Sequence, residues 1–230
     1  MKINFAVMGF LAALALSGAA AQGFKFSQPD ETERAKEDAR QDAIDAWLST
    51  PCRAQLKNQK ILLLIAEQSG NRFSANQQNY GPHFEAINRR LRALGLRTTT
   101  PEQLRQQIAQ AEIEAYFKGD PDAALAASRK HGARFVLKGV IAAQAGVNRM
   151  IPVNEVTVDM SFFLSDTSGR PISQASAQGG SYAGADTRTI AAQLISEQAD
   201  EVVARLYSEY CRNASVVSGA ARGSTGKTQH

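Results

Sequence analysis

Ile61-Leu62-Leu63-Leu64-Ile65, preceded by Lys60 and followed by Glu67, Ser69, Gly70 and Asn71, decides the fold. Five residues are too few to hold a helix but are ordinary for a strand. A run without a polar side reads as a strand buried on both faces. Covering both faces requires helices, and the flanking chain supplies amphipathic ones. The expected class is α/β (α+β): a mixed sheet of four to five strands with helices packed on it, plus an N-terminal helical arm.

Working outward toward the C-terminus, Glu67 to Gly81 is polar and carries Arg72, Phe73 and Tyr80 among Asn and Gln residues. It reads as a long loop leaving the carboxyl end of a central strand, where α/β sheets gather function. A plain surface loop is the competing reading. Pro82 then opens a helix whose apolar stripe is Phe84, Ile87, Leu91 and Leu94, closed by Gly95. Its other face carries Arg89, Arg90 and Arg92, which read either as a solvated face or as a binding surface. Leu96 to Thr99 is a short strand. Thr100-Pro101-Glu102-Gln103 has the N-cap, N1 proline and capping-box glutamine of a helix start. That helix is expected to run through Leu104, Ile108, Ala111 and Ala115 to Phe117. Asp120-Pro121 begins another, ending at Gly132, and Phe135 to Ala143 is the next strand.

Val156 to Leu164 alternates: Val156, Val158, Met160, Phe162 and Leu164 against Thr157, Asp159, Ser161 and Phe163. Period two over this length means one packed face and one wet face. Phe163 breaks the pattern, and cover by a neighbouring element is preferred here over exposure to a partner. Asp166-Thr167-Ser168-Gly169 is a turn, and Pro171 to Tyr182 returns as a strand at an edge or a strand start. Asp186 or Thr187 caps a last helix that buries Ile190, Leu194, Ile195, Val202, Val203, Leu206 and Tyr210. From Asn213 onward Gly, Ser, Ala and Thr dominate, and 213–230 reads as a disordered tail.

Toward the N-terminus, Gln28 to Leu48 reads as a helix with apolar content only at Ile44, Trp47 and Leu48, a solvated arm docking by its far end. Residues 22–50 form that arm and 51–212 the single α/β domain. Lys2, the apolar Phe5 to Leu16 and Ala19-Ala20-Ala21 have the order of a secretory signal peptide, with cleavage expected before Gln22. Its apolar core falls short of the roughly 20 residues that span a bilayer. No cysteine stands at the cleavage point to carry a lipid. The chain of 230 residues has a formal charge of +4, and the +3 left after removing Lys2 is no nucleic-acid footprint. Cys52 and Cys211 remain in an oxidising compartment, where a disulfide between them is expected.

Catalytic motifs fail on context. Ala221 to Thr228 fits a relaxed P-loop, but no helix can follow it to hold a phosphate. Gly179-Gly180-Ser181-Tyr182-Ala183 approaches a nucleophile elbow, whose downstream histidine would have to be His230 in the tail. His83, His131 and His230 have no metal-ligand spacing. No catalytic residue, metal or cofactor is expected.

Ala126-Ala127-Ser128-Arg129-Lys130-His131-Gly132-Ala133-Arg134-Phe135-Val136-Leu137-Lys138-Gly139-Val140 resembles a helix–strand signature of bacterial envelope proteins. The hairpin from Val156 to Ile172 and the closing amphipathic helix are similar to the same group. Its members include the curli secretion lipoprotein, lipoprotein activators of penicillin-binding proteins and the flagellar assembly protein T. The resemblance covers roughly Lys60 to Arg212 and implies a sheet like the N-terminal domain of TolB. It also implies a periplasmic assembly or regulatory protein near the outer membrane or peptidoglycan, whose partner is another envelope protein. A subunit of an oligomeric outer-membrane secretion pore and an envelope hydrolase are the alternatives. Arg72, Phe73, Tyr80, Arg89, Arg90, Arg92 and Phe163 are the candidate partner-binding residues.

Overall fold

The computed structural model describes residues 31–69, 72–75, 82–147, 150, 153–183 and 186–223, with backbone alone at 69, 72, 82, 83, 183 and 214–223. The expected signal peptide, Tyr80 and the last residues of the expected tail lie outside the described residues.

The quoted apolar run is the core of β1 (Lys60–Ser69), which pairs in parallel with β3 (Arg97–Thr98) on one side and β4 (Phe135–Val147) on the other. β4, β5 (Asn154–Asp166) and β6 (Pro171–Ala183) form an antiparallel meander. The sheet has six strands in the order β2-β1-β4-β5-β6, with β3 beside β1. The sequence predicts four to five. The additional strand is β2 (Arg72–Ser74), which folds back antiparallel on the end of β1. The stretch from Glu67 is therefore partly a hairpin rather than only a loop, because a polar strand at an edge carries no apolar signal. Pro171 stands at the first residue of the edge strand, as expected.

Ile61, Leu63 and Ile65 point into one core and Leu62, Leu64 and Ala66 into a second on the other face. Leu64 is 0% exposed, so the strand is buried on both sides as its sequence requires. The first core is closed by α3 (Pro82–Ala93) and α7 (Thr187–Gly223), through Phe84, Ile87, Leu91, Val202, Val203 and Leu206. The second is closed by α4 (Pro101–Gln107), α5 (Gln110–Phe117) and α6 (Asp122–Lys130), through Leu104, Ile108, Ile113, Tyr116 and Leu125.

Thr100 and Gln103 make the expected capping box, Gln103 N donating to Thr100 Oγ1 at 3.2 Å and Thr100 N to Gln103 Oε1 at 3.1 Å. The single helix predicted from Thr100 to Phe117 is two. Ile108 and Ala109 are extended, and Glu112 Oε2 accepts the Ala109 amide at 3.0 Å to start α5. The break lets Leu104, Ile108 and Ile113 reach the same core. A straight helix would turn Ile113 away, since nine residues at 3.6 per turn close on a half-turn. α7 continues past Asn213 to Gly223, where the sequence predicts a loose tail. Helix elongation adds one hydrogen bond per residue once the helix is nucleated, so it outruns its buried stripe.

α1 (Glu31–Leu48) buries only Ile44, as an arm should. Its contact with α7 starts earlier than expected, with Arg40 Nη1 donating to Glu197 O at 3.1 Å. Arg205 then lies 5.1 Å from the Trp47 ring centroid, and the Tyr207 hydroxyl donates to Thr50 O. Contacts advance together along both chains, so α1 runs parallel to α7. After it, α2 (Arg53–Leu56) brings Cys52 to Cys211, and the two form a disulfide with Cα atoms 5.6 Å apart.

Candidate functional site

The sheet face opposite α7 changes character along its strands. At one end it is Leu62, Leu64 and Val136, buried under α4–α6. Further along, the register aligns Gln68, Ala142, Asp159 and Gln178 in one row, and Ala66, Val140, Ser161 and Ser176 in the row before it. Side chains this small and polar give no apolar ground for a helix to bury, so the second layer stops and the floor of β5 and β6 stays uncovered.

Lys138 marks the boundary. Its ammonium lies 5.1 Å from both the Tyr116 and Phe117 ring centroids at the end of α5, and its Nζ donates to Tyr116 O at 3.4 Å. Burial lowers the Lys138 pKa and raises that of Tyr116. Phe163, paired with Lys138 across the strands, is the first residue beyond the cover.

Phe163 is 50% exposed, which overturns the expectation that a neighbouring element covers it. The register places Phe163 on the floor side of β5, and α4–α6 end before they reach it. It stands in a cleft of about 520 Å³ with Trp47, Ser161, Gln174 and Arg205. A second hollow of about 310 Å³ toward α5 and α6 shares Phe163, Gln174 and Glu209 with the first. A third toward the far end of the strands shares Ser161, Ser176 and Arg205. The three make one groove along β5 and β6, walled by α7.

The other candidates fall into separate places. Phe73 lies in β2, 57% exposed, and its register with Gln68 puts it on the same sheet face as Phe163. Arg72 contributes its backbone to the same hairpin through Ser69. Arg89, Arg90 and Arg92 belong to the helix packed on the opposite face, so no single surface gathers all the candidates. Arg89 is exposed. Arg92 Nε donates to Thr98 Oγ1 at 2.8 Å.

Arg90 joins helix to helix. Its guanidinium pairs with the Asp200 carboxylate, donates to Ser196 O at 2.9 Å and reaches back to Ala86 O at 3.1 Å. We expect Arg90→Ala to lower stability by about 1–2 kcal/mol, because charge-assisted bonds to a half-buried carbonyl are lost. Arg89→Ala should stay within about 0.5 kcal/mol. Urea unfolding of the two variants checks this, and equal losses would show Arg90 to be no tie.

The Gly179-Gly180-Ser181-Tyr182-Ala183 stretch is the body of β6, not the strand-to-helix turn a nucleophile elbow requires. Among the described residues, no three His, Cys, Asp or Glu side chains are grouped to hold a metal ion. No helix of the described residues is long and apolar enough to cross a membrane. Sequence reasoning missed Trp47, Arg205 and Glu209 as groove residues. Their signal was weak: one aromatic read as the arm's docking end and two charged positions on the last helix, made neighbours only by the packing of α1 and α7 beside β6.

No protein-family model and no curated protein matches the chain. Among solved structures it is similar to a minor lipoprotein from Acinetobacter baumannii, at 11% identity and a TM-score of 0.38 over 66% of this chain and 93% of that one. It is similar to a lipoprotein from Neisseria meningitidis, at 18% identity and a TM-score of 0.37 over 62% of this chain and 96% of that one. It is also similar to the LpoB C-terminal domain from Salmonella enterica, at 16% identity and a TM-score of 0.39 over 61% of this chain and 94% of that one. Likenesses this distant leave the function to be argued from this chain's own surface.

Proposed function

We propose that this chain is a non-catalytic exported protein of the bacterial envelope that docks onto another envelope protein through its uncovered sheet face. It acts as an assembly or regulatory module in the periplasm, after removal of residues 1–21. The observation that carries this reading is Phe163, half exposed at the centre of a groove whose floor is otherwise small and polar. A large aromatic side chain with its surroundings already cleared is the form taken by interface anchors. Phe73 offers a second aromatic on the same face. The resemblance of the helix–strand signature Ala126–Val140 to that of bacterial envelope proteins supports the compartment.

Phe163→Ser should lower partner capture at least about tenfold, the effect of removing an interface anchor. Stability should change by less than about 0.5 kcal/mol, since the residue is half exposed. The measurement is photo-cross-linking in intact cells from a probe at position 176, with the captured protein identified and its yield compared with and without Phe163→Ser. Undiminished yield would place the interface elsewhere.

A further inference from the structure

The groove beside Phe163 is divided by charge along its length. In the half nearer α5, Lys138 lies across the strands from Phe163, and Arg205 and Arg212 line the wall. Glu209 also stands in this half, where its carboxylate accepts the Gln174 amide at 2.7 Å. In the far half the charge is reversed. Asp159 and Glu155 lie on the floor opposite Gln178 and Tyr182, and Glu201 lies across from them on α7. Arg205 and Glu201 meet at 3.5 Å where the two halves join. A surface patterned in this way selects an occupant with the opposite order of charge.

The seat has the dimensions of a helix. On β6 the residues facing the groove, every second one from Gln174 to Tyr182, are exposed. They span about 27 Å, the length of about 18 helical residues. β4, β5 and β6 together are about 10 Å across, which is one helix diameter. Ser161, Ser176, Thr157 and Gly180 stand low on the floor, so a helix can come close to the strands. A strand is less suited to this place. Beside the first half of β6, α7 already takes the edge: Asn213 Nδ2 donates to Ile172 O at 2.6 Å and Arg205 Nη1 to Ser176 O at 2.7 Å. The layer on this face is helical, and it stops at Phe163.

We propose that the occupant is one α-helix of the partner protein, about 18 residues long, which completes this second layer. Its acidic side chains lie in the half that meets Lys138, Arg205 and Arg212, and its basic ones in the half that meets Asp159, Glu155 and Glu201. An apolar side chain of the helix fills the hollow beside Phe163 that Pro121, Leu125 and Ile172 wall. A helix of one charge throughout is repelled over half of the groove. This inference rests on the docking reading above and adds the form and charge order of what docks.

The test is photo-cross-linking of the full chain in intact cells from probes at positions 174 and 180, with the linked residues of the captured protein mapped. The two positions lie about 20 Å apart, which is about 13 residues of a helix but about 6 of a strand. Both probes should reach one segment of one protein, with sites about 13 residues apart. That segment should be acidic near the 174 site and basic near the 180 site. Asp159→Lys should lower the yield at position 180 about tenfold, because it sets like charges together. Sites about 6 residues apart, a reversed or uniform charge order, capture of a second copy of this chain, or an unchanged yield in Asp159→Lys each overturn the proposal. If yields fall with Phe163→Ser while any of these holds, the docking face stands and the helix does not. If Phe163→Ser leaves the yields unchanged, or no protein is captured, the docking reading fails and this inference with it.

Discussion

Replacing Cys52 and Cys211 together by serine is expected to lower the unfolding free energy by about 5 kcal/mol, the chain-entropy value for a loop this long. The bond joins residues 159 apart in sequence, and the whole sheet, α3–α6 and α7 as far as Cys211 lie within that loop. Unfolding the cross-linked chain therefore releases far less entropy than unfolding the open one. For a chain of this size the midpoint temperature should fall by about 10–20 °C. Both cysteines are buried beside Tyr207, whose hydroxyl bridges Thr50 O and the Cys52 amide, so the bond also pins the start of the core to its last helix. Urea unfolding of the parent and double variant, with and without reductant, gives the answer. Reductant should destabilise the parent alone. A difference below about 1 kcal/mol would mean that the contacts of α7 already hold the ends together and loop closure adds nothing.

Gly139→Ala is the second large effect. A Cβ at Gly139 would lie 2.2 Å from Cε1 of Phe162 and 2.8 Å from its Cδ1 and Cζ. Phe162 is the cross-strand partner of Gly139 and is 0% exposed, enclosed by the core under α7. The ring has no free direction in which to retreat, so the strands must part or the ring must leave its rotamer. We expect a loss of about 3 kcal/mol, at the upper end for an overpacked core. Phe162→Leu makes room at that position, so the double variant should recover at least about 1 kcal/mol relative to the sum of the singles. Strict additivity in urea unfolding would show that the clash is relieved elsewhere.

Gly139 also illustrates how far residue order alone could be read. In the sequence it is only the glycine near the end of an apolar strand, part of a recurring signature. Its reason, a ring lying across the backbone from the neighbouring strand, belongs to packing. Phe163 shows the same limit from the other direction. Its misfit in the alternation of β5 was legible, but whether it was covered depended on where α4–α6 end. The arginines of α3 read alike as a charged face, yet Arg90 is tied to α7 while Arg89 is exposed, because only one of them lies over the neighbouring helix. β2 stayed hidden because three polar residues at an edge have no periodicity to reveal them.

The order of residues by itself determined the class of fold, the strand buried on both faces, the capping box of α4, an edge position or strand start at Pro171 and the pairing of its two cysteines. These rest on local spacing, on burial demanded by unbroken apolar runs and on the small number of available partners. The tertiary structure alone decided that the second helical layer stops short and that α7 guards half of an edge. It also decided that Phe163, Trp47, Arg205 and Glu209 share one groove. Such facts depend on the lengths and crossing of elements far apart in the chain, and no local pattern encodes them.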